Sequence, residues 1–235
     1  MLRVHIARLD DVVPIDAGGA APSWLGGSER AHWSALGAAR RREFVAGRRL
    51  LRDALAQATG IGVERWEASA APDAAPVATR VDDASAAVPQ ASIAHRLGWV
   101  AVATGPAAGG AIGVDIERVR APRSDPAERA ALMLPADDLA RWQALPPGER
   151  EPALMRAWVA RESWFKAQPA GAAWDFRRLA CEPCESARAN VRLWESGVMW
   201  IALCARDASA LEAATCEGWP ASPASSSWQV RPLDR

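Results

Sequence analysis

The stretch that decides the fold is Ala111-Ile112-Gly113-Val114-Asp115-Ile116-Glu117. Its alternation of apolar residues predicts a short strand that is interrupted by two carboxylates. A helical pattern followed by strand patterns precedes this stretch, and the same order recurs after it. The sequence therefore predicts two similar α/β halves, residues 1–112 and 113–235, that meet at this strand.

The remaining elements follow from apolar spacing and from the positions of glycine and proline. Pro169 and Gly171 end the most strongly helical segment, and proline, serine and alanine dominate the C-terminal tail. The predicted elements are a helix over 28–58, a long loop over 68–90, a hairpin with strands at 92–94 and 99–103, short helices within 124–145, a helix over 149–168, strands at 191–194 and 198–203, and a loose tail from about 220.

Composition excludes several classes of partner and compartment. The 235 residues carry 28 basic and 28 acidic side chains, so no net charge favours nucleic acid or a membrane surface. No apolar run approaches 18 residues, and the first residues form no signal peptide. We therefore expect a cytoplasmic chain without membrane or nucleic-acid partners. Its single Cys-x-x-Cys, Cys181 to Cys184, has no second pair, which indicates free thiols in place of a zinc site.

Lys166 is the chain's one lysine, since the other 27 basic residues are arginine. A P-loop needs Gly-Lys-Ser/Thr, but Lys166 follows Phe165. The wider motif set of protein kinases is missing as well, and nothing supports pyridoxal chemistry. None of the three histidines, His5, His32 and His95, forms a His-Glu-x-x-His pair. An isolated lysine in an arginine-rich chain is either a remnant of compositional drift or a functional residue.

Asp115 and Glu117 stand two positions apart in the predicted strand, so their side chains share one face. Two negative charges on an otherwise apolar strand need a compensating cation, and oxygen ligands suit Mg²⁺. Alternatively, the strand lies at an edge, its polar face meets water, and Arg118 and Arg120 supply ion pairs. Spacing alone leaves both interpretations open.

The predicted helix over 149–168 presents Trp158, Glu162 and Lys166 on one stripe, since they are spaced four residues apart. Glu162 and Lys166 lie at the margin of its apolar face, where a charged pair is partly desolvated and can contact a ligand. Alternatively, they form an ordinary surface pair that contributes about 0.3–0.5 kcal/mol.

Basic residues concentrate in the predicted N-terminal helix, namely Arg40–Arg42, Arg48, Arg49 and Arg52. Guanidinium groups bind phosphate in a bidentate manner, so this helix is a phosphate clamp, a partner surface or a solvated face. His95 lies at a strand end before a turn and is either structural or catalytic.

The order and spacing of these features resemble the surfactin-synthetase-activating type of 4′-phosphopantetheinyl transferase over nearly the whole chain. Phe44–Arg52 (FVAGRRLLR) is similar to the arginine helix of that family, and Ser92–His95 (SIAH) is similar to its Ser-His strand. Gly113–Glu117 (GVDIE) resembles its Gly-x-Asp-x-Glu motif. Trp158–Lys166 (WVARESWFK) resembles its Trp-x-x-Lys/Arg-Glu-Ser/Ala-x-x-Lys motif. The last two motifs, in this order, are the specific part.

The resemblance implies an α/β (α+β) fold of two halves related by a pseudo-twofold axis, each with a small antiparallel sheet packed on a long helix. Coenzyme A and the active site would occupy the cleft between them. Asp115, Glu117 and Glu162 would bind Mg²⁺ and, through it, the diphosphate. Lys166 would bind the phosphate that is transferred. The 3′-phosphate would be bound by Arg48 and His95 with help from Arg41.

The implied reaction moves the phosphopantetheine arm of coenzyme A onto a serine of an apo acyl or peptidyl carrier protein and releases 3′,5′-ADP. Glu162, or a water on the metal, is the candidate base. We expect a monomer. Two alternatives remain: a non-catalytic module of the same fold that binds carrier proteins or coenzyme A, and a metal-dependent hydrolase of nucleotide diphosphates.

Three departures from the family pattern concern details of the site. Ala94 stands where the family usually has Ser, which predicts one lost hydroxyl contact near the phosphate. Arg161 replaces the commoner Lys and keeps the charge. The Gly-x-Pro element before the Ser-His strand is poorly matched, with Ala75-Pro76 as the nearest candidate.

Overall fold

A computed structural model describes residues 1–13, 19–69, 76–119, 125–169, 171–219 and 222–233. The strands are β1 (Arg3–Arg8), β2 (Trp66–Ala68), β3 (Ala78–Arg80), β4 (Gln90–Arg96), β5 (Trp99–Gly105), β6 (Gly113–Arg118), β7 (Leu179–Pro183), β8 (Val191–Glu195), β9 (Met199–Cys204), β10 (Thr215–Glu217) and β11 (Ala224–Pro232). The helices are α1 (Leu9–Val12), α2 (Gly27–Ala35), α3 (Ala38–Thr59), α4 (Pro126–Met133), α5 (Ala136–Gln143), α6 (Pro147–Lys166) and α7 (Ala208–Glu212).

The N-terminal sheet has the strand order β10-β1-β5-β4 and packs on α3. β1, β5 and β4 are antiparallel neighbours, and β10 pairs parallel to β1. Val45 and Leu51 of α3 pack against Val100 and Val102 of β5. α3 ends at Gly60, whose φ of 72° allows its backbone N–H to reach the carbonyl of Ala56.

The C-terminal sheet has the order β6-β9-β8-β11-β7, with antiparallel neighbours throughout, and packs on α6. Val159 and Phe165 of α6 pack with Leu193 of β8 and Ala202 of β9. Each half thus combines a sheet of mostly antiparallel strands with one long helix, which confirms the predicted class of mixed helices and antiparallel sheets.

The two sheets share one apolar core and meet along a seam. The core combines Val4 of β1 and Ala101 of β5 with Val114 of β6 and Ile201 of β9. β4 and β6 are edge strands of their sheets. They are joined across the seam where the Ser92 hydroxyl accepts a hydrogen bond of 3.0 Å from the backbone N–H of Val114. The seam therefore places the end of β4 beside the carboxylates of β6.

Three predictions about the elements need correction. The helix predicted over 28–58 is two helices, because the chain is extended at Leu36 and Gly37. The loop predicted over 68–90 contains β3, which pairs with β2. The tail predicted to be loose contains β11, which pairs with both β7 and β8. The proline and serine residues of the tail predicted a loop. The edges of two strands instead supply backbone hydrogen-bond partners for the tail, and these partners cannot be recognised from its composition.

One strand lies on the other side of the predicted boundary at residue 112. β10, from the C-terminal half, is part of the N-terminal sheet. Residues 75 and 120, invoked for the Gly-x-Pro element and for an ion pair, lie outside the described residues. Among the described helices, none combines the length and the apolar character that crossing a bilayer requires.

Candidate active site

Gly113 sets the distance between β6 and α6. A Cβ atom at this position would lie 1.9 Å from the backbone oxygen of Ser163 and 2.8 Å from the backbone nitrogen of Ala167. Only glycine lets the strand backbone approach the helix backbone this closely. The contact brings the residues that follow Gly113 against the last turns of α6, where Glu162 and Lys166 lie.

The side chains of β6 alternate between the shared core and α6. Val114 and Ile116 are buried in the core. Asp115 and Glu117 point to the opposite face and are 4% and 6% exposed. The prediction that both carboxylates share one face is confirmed, and their burial excludes the alternative of a solvated edge. Buried carboxylates need partners of opposite charge.

Two basic side chains of the protein supply those partners. The Lys166 ammonium lies 2.6 Å from Oδ1 of Asp115 and 3.8 Å from Oε2 of Glu162. Across the seam, Nε of Arg96 lies 2.8 Å from Oε2 of Glu117. The sequence reasoning did not single out Arg96. Its place directly after His95, at the end of a strand, is the signal that could have identified it.

The carboxyl group of Glu162 has the most perturbed acidity of the cluster. Burial is the main cause, and the neighbouring charges of Asp115 and Glu117 add to it, whereas Lys166 opposes them. Together they raise the pKa of Glu162 to about 8. A carboxyl group with a pKa near neutrality can both accept and release a proton under physiological conditions, as a general base requires.

The cluster offers an oxygen donor set for a divalent cation. Oδ2 of Asp115 is buried and accepts no hydrogen bond in the described structure. The charges of Asp115 and Glu117 both raise the pKa of Glu162, as expected where like charges crowd. Carboxylate oxygens are the ligands that Mg²⁺ prefers. In donor chemistry the residues fit this ion.

The arrangement of the side chains is nevertheless not that of a formed metal site. Within the described ranges, no group of three or more histidine, cysteine, aspartate or glutamate side chains is arranged to hold a metal ion. The ammonium of Lys166 contacts Asp115, and Arg96 contacts Glu117. A cation bound by these carboxylates would have to replace these basic groups.

His95 belongs to the same neighbourhood from the other side of the seam. It lies at the end of β4, before a turn in which Leu97 and Gly98 have φ values of 45° and 83°. Its Nε2 atom lies 3.1 Å from Oε2 of Glu43 and 3.0 Å from Nη1 of Arg40. Burial lowers the pKa of His95, Glu43 opposes this, and Arg40 and then Lys166 lower it further. The charges of Lys166 and Asp115 thus reach His95, although its contacts are with Glu43 and Arg40.

Arg48 lies in a buried network of the N-terminal half. Its Nη2 donates a hydrogen bond of 2.8 Å to the Ser69 carbonyl, and its guanidinium carbon lies 4.7 Å from the Phe44 ring centroid. Glu29, which is fully buried, pairs with Arg48 at 3.5 Å and with Arg52 at 2.6 Å. Burial, only partly offset by Glu29, lowers the pKa of Arg48 to about 10. These contacts do not join Arg48 to the other predicted site residues.

Arg41 is engaged by α2. It donates hydrogen bonds to the carbonyl oxygens of Trp33 and Ser34, at 3.2 and 3.1 Å. Its guanidinium carbon lies 4.3 Å from the centroid of the Trp33 ring. These contacts close the C-terminal end of α2, whose last carbonyl groups lack partners within the helix. Among the helix arginines, it is Arg40 that contacts His95.

Ala94 faces away from these polar residues. Its methyl group is 4% exposed and belongs to the core that the two sheets share. At this position the side chain fills apolar space.

Comparison with known families points to the same cluster. Residues 111–216 match the model of the 4′-phosphopantetheinyl transferase superfamily. The match supports this superfamily for the chain. It covers just under half of the sequence and includes Asp115, Glu117, Glu162 and Lys166. His95 and the arginine helix lie before it. A search of curated proteins found no match.

Proposed function

We propose that this chain is a phosphopantetheinyl transferase of the surfactin-synthetase-activating type. It transfers the phosphopantetheine arm of coenzyme A to a serine of an apo acyl or peptidyl carrier protein and releases 3′,5′-ADP. The observation that carries this proposal is the cluster of Asp115, Glu162 and Lys166, partly buried at the seam inside the segment that matches the superfamily.

Each polar residue of the seam has a role in this proposal. Asp115, Glu117 and Glu162 hold Mg²⁺, which when bound neutralises charge on the diphosphate. Lys166 binds the phosphoryl group that moves and holds it in line with the serine. A carboxylate oxygen of Glu162 accepts the proton of the serine hydroxyl.

The N-terminal half, residues 1–112, contributes the 3′-phosphate side of the site, and residues 113–235 contribute the metal side. His95, whose ring contacts Glu43 and Arg40 of α3, serves as the phosphate ligand. Arg48 was predicted to bind the 3′-phosphate together with His95, and Arg41 to assist. Their contacts with Glu29 and α2 favour an indirect part for both, in which they position α3. We further propose a cytoplasmic monomer that binds neither nucleic acid nor membranes.

Intact-mass spectrometry of several apo carrier proteins, incubated with this protein, coenzyme A and Mg²⁺, tests the proposal. The expected result is a covalent mass gain equal to the prosthetic arm on at least one carrier. Binding of coenzyme A without any mass gain would indicate a non-catalytic module. Consumption of coenzyme A in the absence of a carrier would indicate a hydrolase.

Glu162→Gln is the first variant to assay. The amide removes the proton acceptor while keeping the shape of the side chain, so transfer should fall by a factor on the order of 10²–10⁴. The far-ultraviolet circular dichroism spectrum should remain that of the wild type. Near-normal turnover by this variant would refute the role of Glu162.

A further inference from the structure

Arg96 and Glu117 form an ion pair between the two halves of the chain. Arg96 ends β4 in the N-terminal sheet, and Glu117 lies on β6 in the C-terminal sheet. The Glu117 side chain is 9% exposed, whereas that of Arg96 is 38% exposed. Burial therefore fixes the carboxylate of Glu117 in place, whereas the more exposed guanidinium group of Arg96 can move away from it.

A divalent cation among the carboxylates changes the environment of this pair. The cation would share the carboxylate of Glu117 with Arg96, whose Nε lies 2.8 Å from Oε2. Two positive charges a few ångströms apart repel each other strongly in a poorly solvated site. Binding of the cation therefore weakens the electrostatic attraction between Glu117 and Arg96.

Once released from Glu117, the guanidinium group of Arg96 can bind an anion. The proposed substrate brings a diphosphate to the same carboxylates. A guanidinium group binds phosphate oxygens through two parallel hydrogen bonds, which a lysine at this place could not form. Because Arg96 is partly exposed and ends its strand, its side chain can turn from the buried carboxylate to a ligand on the solvent side of the seam.

We propose that Arg96 is an exchangeable counter-ion. It neutralises Glu117 while no divalent cation is bound, and it binds the phosphate oxygens of coenzyme A once the cation has replaced it. This inference rests on the proposed function. It predicts that cation and coenzyme A bind cooperatively, because each favours the state in which Arg96 has left Glu117.

The test measures binding and does not depend on turnover. Free Mn²⁺ is quantified by electron paramagnetic resonance during titration of the full-length protein, with and without coenzyme A. In Arg96→Gln, Mn²⁺ alone should bind about five- to tenfold more tightly than in the wild type, because it no longer competes with a guanidinium group. The enhancement of Mn²⁺ binding by coenzyme A should shrink by a similar factor.

Arg156→Gln is the matched control. Arg156 forms an ion pair with Glu195 at 2.6 Å, and its side chain is 33% exposed, similar to Arg96. Removing it changes the net charge equally but should alter neither Mn²⁺ affinity nor its coupling to coenzyme A. Arg96→Lys keeps the charge and serves as a second variant: its affinity for Mn²⁺ alone should stay near that of the wild type, while the coupling falls.

Unchanged or weaker Mn²⁺ binding by Arg96→Gln, with the coupling intact, would overturn the proposal and leave a purely structural link between the halves. If such a result accompanied normal modification of a carrier protein, only the role of Arg96 would fail. A wild-type protein that binds no Mn²⁺ would overturn both the metal ligands and the exchange. In that case the carrier assay still decides separately whether the arm is transferred.

Discussion

The pKa of Glu162 depends more on its burial and on residues of other elements than on its own helix. Lys166 stands one turn further along α6 and favours the carboxylate form. Burial and the charge of Asp115, which comes from β6, outweigh that lysine, and the pKa of Glu162 rises to about 8 from the ordinary 4.5. At the scale of a single residue, the pKa of Glu162 therefore depends on Asp115, which lies 47 residues earlier in the sequence.

This shift predicts a pH dependence of stability in metal-free protein. Between about pH 4.5 and 8, the unfolded chain has an ionised Glu162 and the folded chain a protonated one. The folded state thus binds more protons, so the contribution of Glu162 to stability is largest below this window and is lost as the pH rises through it, by up to about 1.4 kcal/mol per pH unit. Thermal unfolding in the presence of a chelator, between pH 5 and 8.5, measures the effect.

Glu162→Gln serves as the control in that experiment, since its amide does not titrate. Its melting temperature should decline less than that of the wild type between pH 5 and 8. Parallel profiles for the two proteins would contradict the raised pKa.

Gly113 shows how one residue sets the packing of two elements. Its missing side chain allows β6 to lie directly on α6, and this contact aligns Asp115 with Lys166. Backbone atoms of Ser163 in α6 and of Ala167, the residue after α6, lie where a Cβ atom would be placed, and they cannot move aside as a flexible side chain could.

Gly113→Ala should therefore separate the strand from the helix. We expect a loss of about 3 kcal/mol in the free energy of unfolding, measured by urea titration, because the methyl group overpacks a site bounded by backbone. Gly148→Ala is the matched control. It lies at the start of the same helix with nothing within 4 Å of the added Cβ, so it should be neutral or slightly stabilising. Equal stabilities of the two variants would argue against the close approach.

Arg161 links three elements around α6. Its side chain is fully buried, pairs with Asp138 of α5, and donates to the carbonyl oxygens of Leu179 in β7 and Ala157 in α6. The resemblance suggested only that its charge is kept. The structure shows that its several donors hold the helix against both neighbours.

Arg161→Met should destabilise the protein by about 3 kcal/mol, because it removes the fully buried partner of Asp138 and leaves that carboxylate with the more exposed Arg141 and the backbone N–H of Cys181. Arg156→Met breaks the more exposed pair with Glu195 and should cost at most about 1 kcal/mol. Chemical denaturation of both variants gives the comparison. A cost of similar size at the two positions would show that Arg161 contributes no more than a surface pair.

The two halves form one folding unit, because they bury a common core in addition to the apolar clusters that each half packs between its own sheet and long helix. β1 and β5 from the first half and β6 and β9 from the second bury the same apolar cluster. β10 extends the N-terminal sheet from within the C-terminal half. The site lies on the seam, so the integrity of the whole molecule and that of the site depend on each other.

Residues 1–112 and 113–235, produced as separate chains, should therefore each unfold at a lower temperature than the whole chain, since the shared core would be exposed to water. Mixing them should raise the transition temperature when the shared core forms between them. Differential scanning calorimetry of each fragment and of the mixture tests this. A transition in either fragment alone at the temperature of the whole chain would show that this half does not depend on the shared core.

The sequence by itself determined what depends on neighbouring residues. The alternation in β6 placed Asp115 and Glu117 on one face, and the four-residue spacing in α6 placed Glu162 beside Lys166, because local periodicity reflects the geometry of a strand or a helix. Both assignments, and the mixed fold of helices and antiparallel sheets, could be predicted.

Only the tertiary structure decided the partners of these residues. It paired Glu117 with Arg96, enclosed Arg48 against Glu29, and built β11 from a tail with the composition of a loop. Such contacts join segments far apart in the chain, and their energy comes from burial and charge that exist only after the segments have packed. The local sequence pattern does not predict these contacts, because the type and spacing of a residue do not specify which distant residue it will contact.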